Sequence, residues 1–218
     1  MKYKKRIGLV LPAMPSYSET FIYSKINGLL KNGYQVLLFI GSSEKHNKKI
    51  KGVNIYTQID VNNKINIIIK LVYKFIKHPI ICFRFLTLEK HSHGKIYYAV
   101  KNLIINLHIL GKSLDWIHFC FATMGIGREN LARSMGIKSA VSLRGYDVGI
   151  YPYNNKDCYK LLWKKVDKVH YISNDLYEKA LKLGLDKSIP STKIMPAINS
   201  IFFTSKSKKY IDNPVRIL

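Results

Sequence analysis

The sequence predicts an α/β protein built on a doubly wound parallel sheet with helices on both faces. Three observations indicate this fold class. Short runs of consecutive apolar residues recur along the chain, which is typical of strands that are buried on both faces. Amphipathic segments with helical spacing separate these runs. The regular alternation of the two kinds of segment predicts six or seven parallel strands joined by right-handed crossovers.

The predicted strands are short and mostly continuous in their apolar character. They cover residues 7–12, 35–41, 53–57, 115–121, 138–143, 168–173 and 192–196. A basic, polar stretch at residues 205–209 follows them, and residues 214–218 are again typical of a strand. We therefore expect one domain over residues 1–204, followed by a linker and the start of a second domain over residues 205–218.

The first predicted helix covers residues 18–34. Its apolar side chains recur at helical spacing: Phe21, Ile22, Ile26, Leu29 and Leu30. Gly33 stands where a helix C-cap belongs. Ser16 and Glu19 have the three-residue spacing of a capping box. The same loop could also hold a ligand over the helix, so a structural and a binding interpretation both stand at this point.

Later segments with helical periodicity cover residues 94–112, 125–136, 157–166 and 174–184. The region between residues 65 and 111 is strongly apolar, but lysines interrupt it. It contains no charge-free window of about 18 residues, so a membrane span is not expected. One basic, polar helix face is formed by Asn63, Asn66, Lys70, Lys74 and Lys77, and Pro79 is expected to end that helix. The opposite, apolar face would suit a membrane surface.

The chain of 218 residues carries a formal net charge of +23. Such a surface attracts polyanions, which include nucleic acid, anionic lipid and phosphorylated ligands. The alternative explanation of the charge is a general bias in composition, because Lys, Ile, Asn and Tyr are all abundant. A nucleic-acid-binding protein is the less favoured class, because the chain has no aromatic-basic surface motif and no evident recognition helix.

Two features predict a cytoplasmic location. The three cysteines, Cys82, Cys120 and Cys158, have no paired spacing, which is typical of reduced thiols. The basic N-terminus is followed by only five apolar residues before Pro12, and this run is too short for the apolar core of a secretion signal.

Polar side chains lie in or beside the loops that follow the predicted strands. In an open parallel sheet, ligands bind beyond the carboxyl ends of the strands. The candidates selected by this rule are Ser18, Glu19, Thr20, His118, Arg144, Gly145, Asp147 and Ser173. The residue types suit a ligand that carries phosphate and hydroxyl groups, which arginine, hydroxyl and carboxylate side chains can hold.

Each of these positions also has a purely structural interpretation. Arg144 and Asp147 would form a surface ion pair, and Gly145 a turn between them. His118 would be a core histidine, rather than a group that acts near neutral pH or contacts a sugar hydroxyl. No second histidine with metal-ligand spacing accompanies His118, so a metal site is not expected there. No Walker loop and no GxGxxG motif follows the first strand.

Five loose motifs follow one another in a recognisable order. They are PSYSETFIYSKINGLLKNGYQV (15–36), IHFCFATMGI (117–126), SLRGYDV (142–148), DKVHYIS (167–173) and MPAINSIFF (195–203). Together they resemble the N-terminal half of a family 4 glycosyltransferase of the GT-B type, most of all its exopolysaccharide, capsule and lipopolysaccharide branch. The chain departs from the family pattern at Arg144, where many members have His, at Ala197, where Gly is usual, and at Asn199, where Asp is usual.

The resemblance implies one Rossmann-like half of a GT-B fold. It also implies transfer of a sugar from a nucleotide sugar to a hydroxyl of a polysaccharide or lipid-linked acceptor, with retention and without a metal or other cofactor. Catalytic roles fall to His118 and Asp147. Substrate-binding roles fall to Ser18, Glu19, Thr20, Arg144, Gly145 and Ser173.

Most of a donor site would lie in a second half that this sequence lacks. We therefore expect the chain alone to be inactive. The alternative is a non-catalytic acceptor-binding module, or an inactive fragment, that needs a separately encoded C-terminal half. A lipid-linked acceptor would suit a peripheral position on the inner face of the cell membrane, with Lys70, Lys74 and Lys77 at the membrane surface.

Overall fold

A computed structural model describes residues 5–16, 19–41 and 49–196. Its strands are β1 (Arg6–Leu11), β2 (Gln35–Ile40), β3 (Val53–Thr57), β4 (Trp116–Phe119), β5 (Lys138–Leu143), β6 (Lys168–Tyr171) and β7 (Ser191–Lys193). They form one sheet with the order β3-β2-β1-β4-β5-β6-β7, and every neighbouring pair is parallel. The predicted fold class is confirmed. The predicted linker at 205–209 and the predicted strand at 214–218 lie outside the described residues.

The described helices are α1 (Thr20–Lys31), α2 (Lys64–Lys77), α3 (Pro79–His93), α4 (Ile96–Asn106), α5 (Leu131–Met135), α6 (Gly145–Gly149), α7 (Tyr151–Asn154), α8 (Lys160–Trp163) and α9 (Asn174–Lys182), with a 3-10 turn at Ala122–Gly125. The crossover from β3 to β4 thus contains three helices. The predicted C-cap at Gly33 suits the observed end of α1, because Gly33 has a φ of +79° that favours glycine.

Helices cover both faces of the sheet, but unequally. On one face, Ile22 and Ile26 of α1 pack on β1 and β2. The larger core lies on the other face, where residues such as Phe85 of α3 meet Phe39 and Phe119 of the sheet. Right-handed crossovers that run in opposite directions along a sheet place their helices on opposite faces. From β1 the chain first adds β2 and β3 on one side, and then crosses back to add β4 to β7 on the other side. The helix α1 connects β1 to β2, so it is alone on its face of the sheet among the described helices.

Three predicted elements differ from the observed ones for local reasons. Pro79 ends α2 but also begins α3 at its first position, where the missing N–H of proline costs nothing. Within the predicted helix over residues 125–136, the helical residues are Gly125, which is the last residue of the 3-10 turn, and those of α5. The predicted turn after Leu143 is the short helix α6, which starts at Gly145.

Candidate functional site

A cavity of about 680 Å³ lies beside α1, on the face of β4, β5, β6 and β7 that no other described helix covers. Its walls are largely apolar, with Trp116 and Ile172 among them. Six basic side chains also line it: Lys5, Lys25, His118, Arg144, Lys168 and His170. Such a cavity suits a ligand that has both an anionic group and an apolar part. We call it the α1 cavity.

A chain of hydrogen bonds crosses the floor of the α1 cavity. The Nε2 atom of His118 lies 2.8 Å from Oγ of Ser142, and that Oγ lies 2.8 Å from Nδ1 of His170. The Nε2 atom of His170 lies 3.0 Å from the carbonyl oxygen of Ile194. This arrangement follows from the pairing of the strands, since Ser142 of β5 and His170 of β6 are direct neighbours.

The carbonyl of Ile194 determines which atoms donate and which accept in this series of hydrogen bonds, because a carbonyl oxygen can only accept. Nε2 of His170 therefore donates to it, and Nδ1 of the neutral ring accepts from the Ser142 hydroxyl. The Ser142 oxygen can then accept from Nε2–H of His118. Burial lowers the pKa of His118 well below its ordinary value, and the charge of Lys25 acts in the same direction. His118 is thus a neutral imidazole at neutral pH.

Lys25 of α1 reaches the same histidine. Its Nζ lies 3.0 Å from Nε2 of His118. Burial lowers the pKa of Lys25, and the positive charge of Arg144 contributes to the lowering. The contact brings a second basic group to the hydrogen bonds on the floor of the α1 cavity.

Arg144 stands at the start of α6 and is held by aromatic rings. Its guanidinium carbon lies 3.7 Å from the ring centroid of Phe21 and 5.6 Å from that of Phe121. These contacts bring the first turn of α1 together with the loops after β4 and β5. Among residues 5–16, 19–41 and 49–196, no carboxylate lies within 4.0 Å of the Arg144 nitrogens. A cation that stacks on aromatic faces and forms no ion pair with a described carboxylate is well suited to an anionic ligand.

The expected surface pair between Arg144 and Asp147 does not form, because the two side chains diverge. Asp147 is buried and accepts hydrogen bonds from N–H and Oγ1 of Thr123, at 3.2 Å and 3.0 Å. Burial raises the pKa of Asp147, and these donors oppose the rise. The Tyr159 hydroxyl donates to the carbonyl of Asp147. Asp147 thus fastens the 3-10 turn to α6, and the catalytic role for it stays a prediction.

The loop before α1 contains the glutamate half of the expected capping box. Glu19 occupies the N-cap position, and its carboxylate accepts a 2.8 Å hydrogen bond from the backbone N–H of Ser16. Thr20 is the exposed first residue of α1. The third substrate-binding candidate of this loop, Ser18, lies outside the described residues. Phe21, which contacts Arg144, links this loop to the α1 cavity.

The two remaining binding candidates have local roles. Ser173 is the N-cap of α9, and its Oγ accepts from the backbone N–H of Leu176 at 3.4 Å. Gly145 has no positive φ, and a Cβ atom there would meet nothing within 4 Å. The backbone of α6 therefore does not require a glycine. Substrate binding by either residue stays a prediction.

Sequence reasoning did not find Lys25, Ser142 or His170. The alternation of side chains on β5 and β6 places Ser142 and His170 on the same face of the sheet as His118. That signal was available in the sequence, but the register between β4, β5 and β6 was not. Without the register, a serine and a second histidine on separate strands gave no reason to expect a contact.

No protein-family model matches the chain, and no curated protein matches it. Among solved structures, the chain is similar to HepE of Anabaena in complex with UDP and glucose, with a TM-score of 0.53 and 10% identity over 93% of this chain and 47% of HepE. A HepE complex with UDP gives a TM-score of 0.52 and 11% identity over the same shares. A sucrose-phosphate synthase structure from Thermosynechococcus elongatus has a TM-score of 0.48 and 13% identity over 89% of this chain and 91% of that one.

The two HepE similarities show the fold. The chain has the Rossmann-like α/β architecture of its neighbours among the GT-B glycosyltransferase structures. It spans about half the length of the HepE chain that it matches.

Proposed function

We propose that the chain is the acceptor-side half of a glycosyltransferase, which moves a sugar from a nucleotide sugar to a hydroxyl of a polysaccharide or lipid-linked acceptor, with retention. The observation that carries the proposal is the α1 cavity, in which Arg144, Lys25 and His118 converge on a sheet of the GT-B type. The fold is compatible with this function but does not imply it, so the proposal rests on the residues that line the cavity.

Each group in the cavity has a role in the proposal. Arg144 contacts a phosphate of the substrate, because its guanidinium stacks on Phe21 and Phe121 and, within the part of the chain that the structure describes, forms no ion pair. His118 is neutral and hydrogen-bonds the reacting sugar or the acceptor hydroxyl. The apolar walls hold the apolar part of the acceptor. The nucleotide sugar is a substrate, and the proposed reaction needs no separate cofactor.

An exposed apolar surface suggests where a lipid-linked acceptor is met. The surface is formed by Ile65, Ile68, Ile69, Val72, Ile76, Ile80 and Phe83, whose exposed fractions run from 54% to 78%. No residue of α2 is buried. Soluble monomers rarely expose so continuous an apolar patch. Lys70 and Lys77 are exposed on the same helix, so the patch suits an anionic bilayer. We call it the α2 surface.

Lys74 does not share this position. Its Nζ donates to the carbonyl of Leu110 at 2.7 Å, and the side chain is partly buried. Burial lowers the pKa of Lys74, and the charge of Lys112 adds to the lowering. Of the three lysines expected at the membrane, Lys70 and Lys77 support this part of the proposal and Lys74 does not. Within the described residues, no helix is both long enough and apolar enough to cross a membrane.

A second candidate function is a non-catalytic acceptor-binding module that assembles with a separately encoded half. The observation in its favour is the largely apolar wall of the α1 cavity, which suits the binding of an acceptor without any chemistry. Sugar transfer in the presence of a donor-binding half distinguishes the two candidates. Binding of the acceptor without any transfer would favour the module.

The variant His118→Ala tests the proposed site in an enzyme assembled from this chain and such a second half. We expect sugar transfer to fall about 100-fold, because general acid–base groups commonly contribute two to four orders of magnitude. The melting temperature should stay within a few degrees of the wild type. His91→Ala, which changes an exposed histidine of α3, serves as the control and should keep full activity. Unchanged specific activity in the folded fraction of His118→Ala would show that His118 is only a structural residue.

A further inference from the structure

A cluster of two carboxylates and an imidazole lies on the sheet face opposite the α1 cavity. Glu89 and His93 are one turn apart on α3, and Glu129 precedes α5. One potential ligand atom from each of the three residues lies within 4.8 Å of the other two. Glu89 is fully buried, and Glu129 is only 6% exposed. The side chain of His93 is 28% exposed, which leaves the cluster a route from solvent.

The hydrogen bonds around the cluster do not satisfy it. Glu89 is well supported, since Oε2 accepts from Asn102 at 2.6 Å and Oε1 from Asn130 at 3.0 Å. In contrast, Oε2 of Glu129 and Nε2 of His93 are buried without a hydrogen-bond partner. Buried polar atoms are nearly always paired with protein, water or an ion, so two unpaired atoms in one cluster require a partner.

Neighbouring cations do not fill this role. Arg128 adjoins Glu129 in the chain, but its guanidinium donates to the carbonyl of Met124. Across the described ranges, no lysine or arginine nitrogen lies within 4.0 Å of either carboxylate. Two carboxylates that are buried side by side repel each other when both are charged. A divalent cation between them would remove that repulsion.

The geometry fits a small metal ion. Nε2 of His93 lies 3.3 Å from Oε2 of Glu89, and the two atoms are not aligned as a hydrogen bond. Zinc binds imidazole nitrogen and carboxylate oxygen at about 2.0–2.2 Å, so two ligands of a tetrahedral ion are roughly 3.3–3.5 Å apart. The i, i+4 spacing on one helix face brings the first two ligands together, and Glu129 supplies the third.

We propose that Glu89, His93 and Glu129 form a binding site for a divalent metal ion with nitrogen and oxygen ligands, of which Zn²⁺ fits best. The ion fastens the end of α3 to the segment before α5. Its position, on the sheet face opposite the α1 cavity, makes the role structural. No step of the proposed sugar transfer involves it.

Metal titration of the full chain tests the site. After treatment with EDTA and dialysis, the wild type should bind one equivalent of Zn²⁺. Saturating Zn²⁺ should raise the melting temperature by about 5 °C or more. Glu129→Gln and His93→Gln keep the size of the side chains but remove a ligand, so each should weaken Zn²⁺ binding by at least about tenfold. His91→Gln, on the same helix but outside the cluster, is the matched control and should bind like the wild type.

Co²⁺ serves as a spectroscopic probe of the ligands. The wild-type complex should show visible d–d bands without a thiolate charge-transfer band, because no cysteine belongs to the cluster. A thiolate band would place the metal on a cysteine and overturn the proposal. Failure of the wild type to bind Zn²⁺ would also overturn the proposal. The same holds if Glu129→Gln and His93→Gln both bind Zn²⁺ as tightly as the wild type. Folding of each variant is checked by its melting transition in EDTA, where Glu129→Gln should be at least as stable as the wild type, since it removes the repulsion with Glu89.

Discussion

Four side chains from α1, β4, β5 and β6 meet in one hydrogen-bonded chain in the α1 cavity. The sequence predicted which face of its strand His118 occupies. The structure shows that His118 contacts Lys25 and Ser142, and that Ser142 contacts His170. Strand alternation alone could predict which face His118 uses. It could not predict the neighbours, because they depend on the register of three strands that are distant in sequence. The same limit applied to Arg144, whose contact is with Phe21 and not with the nearby Asp147.

Another histidine, His108, should make the stability of the chain depend on pH. Both ring nitrogens are buried without a hydrogen-bond partner, and the ring packs on Phe39 with centroids 6.0 Å apart. Burial lowers the pKa of His108 to about 3, and the charge of Arg128 acts in the same direction. The unfolded chain takes up a proton near pH 6.5, whereas the folded chain resists it. The free energy of unfolding should therefore fall as the pH drops from about 6.5 toward 3.

Urea unfolding at pH 7 and pH 5 measures this effect. His108→Gln removes the titrating group, so its loss of stability between the two pH values should be smaller than that of the wild type by up to about 2 kcal/mol. His118 and His170 also have lowered pKa values and should leave part of the dependence in place. The exposed His91→Gln is the control. If His108→Gln and the wild type lose equal stability, His108 is not buried as described.

At the scale of single elements, the amphipathic pattern of α2 predicts that a helix forms but not which side of it contacts the core. The spacing of Asn63, Lys70 and Lys77 correctly predicted the helix, and Asn63 caps it by accepting from the N–H of Asn66. The pattern did not say how the helix sits on the protein. Leu71 and Phe75, on the flank between the polar and apolar faces, make the contact with the core, and Lys74 follows them inward. The apolar face is left outside.

Vesicle binding tests the α2 surface. We expect the chain to bind vesicles that contain anionic phospholipid, and we expect this binding to weaken with salt. The double variant Lys70→Glu/Lys77→Glu should bind at least about tenfold more weakly, since each basic residue near the surface contributes roughly 1 kcal/mol. Lys74 is left unchanged because its loss would remove the hydrogen bond to Leu110.

The matched control reverses the same number of charges elsewhere. Lys182→Glu/Lys187→Glu changes two exposed lysines in and after α9. This variant should bind nearly as well as the wild type. Equal weakening by both double variants would mean that net charge drives the binding, and that α2 has no special position at the membrane.

At the scale of the whole molecule, simple rules applied to the sequence predicted the fold class but not the order of the strands. Apolar runs alternating with helices predicted a doubly wound parallel sheet, and right-handed crossovers allow few arrangements of it. The long crossover between β3 and β4 was harder to predict, because Pro79 looked like an end when it is also the start of α3. The cluster of Glu89, His93 and Glu129 could not be predicted from the sequence, since Glu129 lies 36 residues beyond His93 and the packing of α3 brings them together.

The central claim is that this chain supplies the acceptor side of a glycosyltransferase, and sugar transfer measures that claim most directly. The purified chain alone should turn over no UDP-, GDP- or TDP-sugar above a mock preparation. A mixture with a separately purified donor-binding half should transfer sugar at a rate that saturates at a one-to-one ratio. Turnover by the chain alone, or no turnover with a folded second half that binds the nucleotide sugar, would contradict the account.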